Sequence, residues 1–235
     1  MEVLERLVFL DTETTGLDAR LGHRIIEIAA VEAVGRELTG KSLHFYVDPE
    51  REIDAGATAV HGFSWDDLRG KPKFSTIADE VMSFLAGARV VIHNAPFDVS
   101  FIDSELARLR QPPVGKRQLT VTDSLVMAKE KFPGKRNSLD ALCDRLGVDN
   151  SHRNLQGALL DARLLAEVYF AMTRGQGTLE IATENLTPTA ELLGAISQDP
   201  MPSILPIEVS APSEAAHAAI VEALTKQSGI VRQWH

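Results

Sequence analysis

The acidic residues near the amino terminus are the first in the chain whose types and spacing could do chemistry. Asp11 and Glu13 follow a short apolar run, Leu7–Leu10, which is typical of a buried strand. Side chains two positions apart on a strand point to the same face. Two neighbouring carboxylates repel each other unless a cation or a proton separates them. The pair therefore indicates either a cation site or an acidic turn without special function.

Two more aspartates accompany apolar elements later in the chain. Asp98 begins a helical segment just beyond the apolar run Val90–Ile92, where it could equally cap the helix. Asp161 lies on a long helical segment, and a carboxylate buried there needs a cation, a proton or a basic partner. A buried aspartate–arginine pair is the alternative to a metal. The neighbours of Asp161 three and four positions away are all small or apolar: Gly157, Ala158, Leu164 and Leu165.

The four carboxylates together favour a hard divalent cation. Oxygen ligands with no interleaved cysteine suit Mg²⁺ or Mn²⁺ better than zinc. Four such groups converging on one point suit a site with two ions about 4 Å apart that hydrolyses a phosphodiester. One ion activates water, and the other stabilises the leaving 3′ oxygen. The residues alone thus predict a metal-dependent acidic site.

The elements that must position these acids read as alternating strands and helices. Three early strands lie close enough in sequence for antiparallel pairing, and two later strands alternate with helices. This order predicts an α/β fold with a mixed sheet flanked by helices. The predicted strands are Leu7–Leu10, Ile25–Val34, Ser42–Val47, Val90–Ile92 and Val121–Asp123, and the helices include Ile77–Leu85, Ser124–Phe132, Ser138–Leu146 and Gln156–Met172.

Bulk composition describes an ordinary globular protein of the reducing cytoplasm. The chain has 235 residues, 44% of them hydrophobic, which suits one substantial domain and a smaller part. Its single cysteine, Cys143, lies in an apolar helical pattern, so we expect a core thiol and no disulfide framework. The amino terminus lacks the pattern of a signal peptide, and no apolar run is long enough to cross a bilayer. We therefore expect a cytoplasmic location and no membrane partner.

The charge is acidic throughout. The formal net charge is −9, of which residues 1–174 carry −4 (22 basic against 26 acidic side chains) and the remaining 61 residues carry −5. An acidic chain repels phosphate backbones at long range, so tight unaided binding to DNA is not expected. If nucleic acid is the substrate, another protein must deliver it.

The composition changes near Arg174. Five of the eleven prolines lie between Pro188 and Pro212, which is typical of a flexible linker because proline cannot join sheet ladders or helix interiors. Apolar positions recover in a helical pattern that begins at Ser213, a plausible N-cap. A helix of this length is marginal alone, so we expect it to dock on a partner.

Three motifs give the sequence a specific resemblance. Asp11-Thr-Glu-Thr-Thr-Gly-Leu17, His93-Asn-Ala-Pro-Phe-Asp98 and Gly157-Ala-Leu-Leu-Asp161 occur in the order and spacing of the DEDD exonuclease superfamily, whose fold is RNase-H-like. The segments Val121–Leu125 and Phe132–Cys143 resemble in particular the epsilon, or proofreading, subunit of bacterial DNA polymerase III. The resemblance covers residues 7–176 closely and the tail loosely.

The resemblance implies roles for named residues. Asp11, Glu13, Asp98 and Asp161 would hold two Mg²⁺ or Mn²⁺ ions and, with Gln156 at the position of the general base, form the catalytic set. The segment Gly56–His61 resembles the family loop that contacts the terminal nucleotide. At the primer 3′ end, that nucleotide would contact Asp11, Thr12, Glu13, Gly56, His61 and Asp161. His61 could instead be an ordinary histidine of a surface loop. His93 follows a buried strand and could be either a structural, hydrogen-bonding histidine or a substrate contact. Lys135 and Arg136 could touch phosphates or form an exposed basic loop.

Gln156 departs from the family pattern. The last motif of the family has a histidine there, which takes a proton from the attacking water, whereas a glutamine amide cannot accept a proton near neutral pH. Losing a positioned general base costs about 10²–10⁴ in rate. Three explanations stay open: a substitution introduced to trap intact DNA, a natural variant of reduced activity, or replacement of the base by His152.

The tail resembles a tether. Gln176, Leu179 and Ile181 resemble the peptide by which such subunits hold the sliding clamp, with Ile181 in place of the usual phenylalanine, and loop sequence is the alternative. The last helix and Trp234 resemble the tail that binds the polymerase alpha subunit. The expected domains are an exonuclease domain (1–174), a clamp peptide (175–182), a linker (183–212) and a polymerase-binding tail (213–235).

The sequence therefore predicts a 3′→5′ proofreading exonuclease that acts on mispaired primer ends within a polymerase complex. Two other functions stay open. The chain could be chiefly a structural subunit that bridges polymerase and clamp, or an RNA-directed exonuclease of the same superfamily, although a free-standing RNase has no need of the linker and tail. The resemblance also leaves open a small accessory subunit as a further partner.

Overall fold

A five-stranded mixed sheet forms the centre of the protein. The computed structural model describes residues 4–151 and 157–174. The first three strands form an antiparallel meander, and the last two run parallel to β1, in the order β3-β2-β1-β4-β5. This confirms the predicted mixed sheet. The strands are β1 (Arg6–Thr14), β2 (Ile25–Val34), β3 (Glu37–Tyr46), β4 (Arg89–Ile92) and β5 (Thr120–Asp123).

Helices cover both faces of the sheet. Proline at the start of α4 suits a first turn, where the missing N–H would have no partner. Glycine ends α6 at Gly147, in the left-handed conformation that glycine adopts without strain. The helices are α1 (Ala55–His61), α2 (Trp65–Leu68), α3 (Phe74–Leu85), α4 (Ala95–Arg108), α5 (Ser124–Lys131), α6 (Leu139–Leu146) and α7 (Ala158–Met172).

Alternation along β1 divides the core into two layers. Val8 and Leu10 pack into the cluster that contains α3 and α4, and Leu7 and Phe9 pack into the cluster that contains α6 and α7. Because side chains alternate along a strand, continuing this pattern places Asp11 and Glu13 on the side of α6 and α7. Cys143 is buried in the same cluster, which confirms the predicted core thiol.

Predicted and observed boundaries differ most at the polar ends of elements. β3 begins at Glu37, whereas the prediction placed its start near Ser42. The prediction missed the beginning of the strand because its first six residues are exposed and lack apolar alternation. The segment predicted as a loop around Gly56–His61 is the short helix α1. Within the residues described, no helix is long and apolar enough to cross a membrane. The predicted clamp peptide, linker and polymerase-binding tail lie outside those residues.

Candidate active site

Three of the predicted carboxylates meet at the carboxyl end of β1. Asp11, Glu13 and Asp161 each place an oxygen within 4.8 Å of the others. Strand alternation supplies the first two, and α7 brings Asp161 over the same face of the sheet. Glu13 and Asp161 are buried, and Asp11 is half-buried. Three acids this close and this shielded from water repel each other strongly, which is the arrangement that a divalent cation relieves.

Asp98 reaches the site from the opposite helix layer. It lies within the first turn of α4 and is 3% exposed. Its Oδ1 accepts hydrogen bonds from the backbone nitrogen of Thr12 at 3.1 Å and from the Thr12 hydroxyl at 2.7 Å. Burial raises the pKa of Asp98 to about 7, although these hydrogen bonds act in the other direction. Asp98 therefore does not cap its helix; it is joined to the residue between Asp11 and Glu13.

The carboxylates line one deep cleft of about 610 Å³. Asp11, Glu13, Asp98 and Asp161 all contribute to its wall, as do Thr12, Gly56 and His61. The structure thus brings together the predicted carboxylates and nucleotide contacts that lie within its described ranges, whereas Lys135 and Arg136 do not line the cleft. A bound cation and a nucleotide could occupy the same space. Sequence reasoning missed several other lining residues, some apolar and some polar: Leu17, Asp54, Val60, Phe97, Ser138, Leu139 and Asp140.

His61 is a buried residue of α1, not a histidine of a surface loop. Its Nδ1 accepts a hydrogen bond from the backbone nitrogen of Phe63 at 3.1 Å, and its ring stacks on the Phe63 ring. Burial lowers the pKa of His61, and the backbone of Thr14 acts in the opposite direction. The neutral ring therefore carries its proton on Nε2. That nitrogen is buried.

His93 joins β4 to the elements that follow. Its Nδ1 lies 3.0 Å from the hydroxyl of Ser124, the first residue of α5, and its ring also interacts with the backbone of Asn137. Burial is the main cause of its lowered pKa. The His93 ring thus interacts with both Ser124 and the backbone of Asn137. It supports the wall of the cleft and is not a free base. Gln156 and His152 lie outside the described residues.

The basic loop before α6 is braced from within. The guanidinium of Arg145 lies over the Phe132 ring, donates to Asn137 Oδ1 at 3.1 Å and donates to the carbonyl of Arg136 at 2.7 Å. Lys135 and Arg136 are exposed at its tip. The loop leads directly into Ser138–Asp140, which line the cleft.

Comparison with known proteins agrees with this geometry. The exonuclease family RNase_T matches residues 8–169. The epsilon subunit of DNA polymerase III from Rickettsia prowazekii is 54% identical over 172 residues, 73% of this chain and 75% of that protein. The Escherichia coli K12 epsilon subunit is 51% identical over 189 residues, 78% of each chain.

Solved structures show the same fold at low identity. Escherichia coli exonuclease I in complex with a dA16 oligonucleotide superposes with a TM-score of 0.64 at 20% identity, covering 73% of this chain and 41% of that one. Exonuclease X in complex with 5′ overhanging duplex DNA gives 0.55 at 23%, covering 73% and 93%. The chain belongs to the RNase_T exonuclease family and, within it, to the epsilon subunits of bacterial DNA polymerase III.

Proposed function

We propose that this 3′→5′ exonuclease removes mispaired nucleotides from primer 3′ ends by divalent-metal hydrolysis, as a subunit of a replicative DNA polymerase. The observation that carries the proposal is the meeting of Asp11, Glu13 and Asp161 within 4.8 Å, beside Asp98, in one cleft. A mispaired end is the favoured substrate because the cost of unpairing the terminal base has already been reduced.

The donor set fits two Mg²⁺ or Mn²⁺ ions. All four side chains offer hard oxygen ligands, and burial raises the pKa of Asp98, so a bound cation would stabilise its charged form. Asp11, Glu13, Asp98 and Asp161 would hold the ions. When bound, two such ions supply an activated water and stabilisation of the leaving 3′ oxygen.

The remaining residues bind and orient the substrate. Thr12 fixes Asp98 through its backbone and hydroxyl, so its role is to orient a carboxylate. His61 lines the cleft from α1 beside the carboxylates, so it would contact the terminal nucleotide there. Gly56 has open space where a side chain would stand, so the backbone there can approach a ligand closely. Leu17 and Val60 give the cleft an apolar rim on which a base can rest.

Gln156 limits the rate in this proposal. Of the histidines in the described ranges, only His61 and His93 line the cleft, and both use a ring nitrogen on the protein. Neither is arranged to take a proton from water, so the metal ions would act without a histidine base unless His152 supplies one. The expected result is hydrolysis slowed by about 10²–10⁴.

Tethering explains how an acidic protein acts on DNA. With a net charge of −9, the chain relies on partners to reach a primer end. We propose that the tail with Trp234 binds the polymerase alpha subunit and that Gln176, Leu179 and Ile181 bind the sliding clamp. A linker of this kind raises the effective concentration of the exonuclease at the primer, so intrinsic affinity can stay low. We place this complex in the bacterial cytoplasm, in keeping with the single reduced cysteine.

The decisive experiment follows degradation of a 3′-mismatched primer in Mg²⁺ or Mn²⁺. We expect Gln156→His to raise the rate about a hundredfold, and Asp11→Ala in that background to abolish the gain. If the unaltered protein already degrades the primer rapidly, His152 becomes the leading candidate for the general base. If no variant cuts DNA, the catalytic assignment is wrong.

A structural subunit is the second candidate, and Gln156 is the observation that favours it. In that case the chain binds polymerase and clamp while cutting DNA too slowly to matter. A pull-down with both partners, using the full chain and residues 1–174, tests the tether. If residues 1–174 still bind polymerase and clamp, the tail is not needed for binding.

A further inference from the structure

A chain of three side chains joins the end of β1 to the start of α1. The hydroxyl of Thr15 lies 3.0 Å from His23 Nδ1, and His23 Nε2 lies 3.5 Å from Asp54 Oδ2. The Thr15 hydroxyl also accepts the backbone N–H of Arg24 at 3.0 Å, so its own proton is available for Nδ1. His23 Nε2 thus faces the Asp54 carboxylate, whose side chain is 57% exposed. The backbone nitrogen of Asp54 donates to the Thr15 carbonyl at 3.0 Å and closes the ring of contacts.

Asp54 breaks a local rule in making this contact. It occupies the N-cap of α1, where an aspartate side chain ordinarily accepts an N–H of the first turn and contributes about 1 kcal/mol. Its side chain makes no capping hydrogen bond, and only its carbonyl accepts from Ala57 and Thr58. Residues that break such rules occur where function requires another geometry.

Gly16 shows how closely His23 is held. A Cβ built on Gly16 would lie 2.3 Å from Cε1 of the His23 ring, far inside any allowed contact. Gly16 is therefore glycine so that the imidazole can lie against the backbone that follows β1. His23 is 8% exposed, so the ring fills the space between this backbone and Asp54.

The part of the protein held in this way is one wall of the cleft. Gly16 lines the cleft on the β1 side, and Asp54, Gly56 and His61 line it from α1. α1 has only seven residues, too few to be stable by itself, so tertiary contacts must fix its position. The contacts of Thr15, His23 and Asp54 begin only two residues beyond Glu13.

We infer that Thr15, His23 and Asp54 are positioning residues that hold α1, and with it His61, at a set distance from the carboxylates. The inference rests on the proposed function, in which the terminal nucleotide binds between α1 and the carboxylates. These three residues then govern affinity for the nucleotide, whereas Asp11, Glu13, Asp98 and Asp161 govern metal binding. Substitutions of Thr15, His23 or Asp54 should therefore change the affinity for the nucleotide without changing the affinity for the metal.

The test measures nucleotide and metal binding separately. In the Gln156→His background, Asp54→Ala should raise KM for a mismatched primer and Kd for thymidine 5′-monophosphate in Mn²⁺ by about tenfold, which corresponds to about 1.4 kcal/mol of binding free energy. The affinity for Mn²⁺ alone should stay unchanged. Asp54→Asn, which keeps an acceptor of the same shape, should recover most of the loss.

A second pair keeps the test decisive if Asp54→Ala does not fold. Thr15→Val removes the hydroxyl and should reproduce the tenfold loss of affinity, whereas Thr15→Ser keeps the hydroxyl and should retain affinity. Asp66→Ala, which removes an aspartate at the start of α2 that does not line the cleft, is the control.

Two results would overturn the inference. The first is Kd and KM unchanged in both Asp54→Ala and Thr15→Val. The second is a parallel fall of kcat, Mn²⁺ affinity and Tm, which would mark a purely structural role. A failure of the proposed function would give a different result. None of the variants would cut DNA, whereas their Kd for thymidine 5′-monophosphate would still test the positioning role.

Discussion

Thr12 donates two hydrogen bonds to the same oxygen of Asp98, from its backbone nitrogen at 3.1 Å and from its hydroxyl at 2.7 Å. Thr12 stands between Asp11 and Glu13 on β1, and Asp98 stands on α4, 86 positions further along the chain. The contact therefore ties the two carboxylates of the strand to the carboxylate of the helix. It also orients Oδ1 of Asp98 toward Thr12.

The hydroxyl of Thr12 is expected to matter for activity. Thr12→Val removes the 2.7 Å bond and leaves the backbone bond, so Asp98 keeps its place but loses its orientation. In the Gln156→His background we expect kcat to fall about tenfold with Mg²⁺, because catalytic groups tolerate little misplacement. Thr12→Ser, which keeps the hydroxyl, is the control. Equal rates in the two variants would show that the hydroxyl has no role.

Asp98 should make the metal-free protein sensitive to pH. Its pKa is raised from 3.8 to about 7 in the folded protein, so between those values the folded state binds more protons than the unfolded state. Stability in the presence of EDTA should therefore fall as pH rises from about 4 to about 7, by up to a few kcal/mol. Saturating Mn²⁺ should reverse the loss, because bound cations stabilise the folded state.

Asp98→Asn separates this effect from other titrations. The amide cannot ionise, and its oxygen can still accept both hydrogen bonds from Thr12. Unfolding by urea in EDTA should show the variant to be the more stable protein at pH 8 and to lack the extra pH slope. The variant should also gain less stability from Mn²⁺. A pH slope identical in both proteins would contradict the assignment.

Sequence pattern located the parts of the site that depend on local periodicity. Asp11 and Glu13 share a face because a strand alternates, and Asp161 is buried because it lies on an apolar helical stripe. The motif that contains Asp98 predicted its place in the site. Its hydrogen bonds with Thr12 could not be predicted, because no local sequence pattern relates two residues so far apart in the chain. His61 was misplaced in a loop because the seven-residue α1, rich in glycine and alanine, has no clear apolar period.

The Arg24–Glu105 pair is expected to stabilise the fold. Arg24 donates from Nε at 2.6 Å and from a terminal nitrogen at 2.8 Å to the two oxygens of Glu105, whose side chain is 3% exposed. Arg24→Ala leaves a buried carboxylate without its partner and should cost about 3–5 kcal/mol. The double variant Arg24→Met with Glu105→Leu should recover much of this loss in urea unfolding. A loss below about 1 kcal/mol for the single variant would show that water or another group replaces Arg24.

Leu17 should serve substrate binding rather than stability. It is 86% exposed, yet it lines the cleft beside the carboxylates, where an apolar side chain can rest against the terminal base. Leu17→Ala in the Gln156→His background should raise KM for a mismatched primer several-fold and leave the free energy of unfolding within about 0.5 kcal/mol. Leu21→Ala is the matched control, because Leu21 is also exposed, at 73%, but does not line the cleft. If the two substitutions change KM equally, the effect comes from general surface apolarity, and the rim has no part in holding the base.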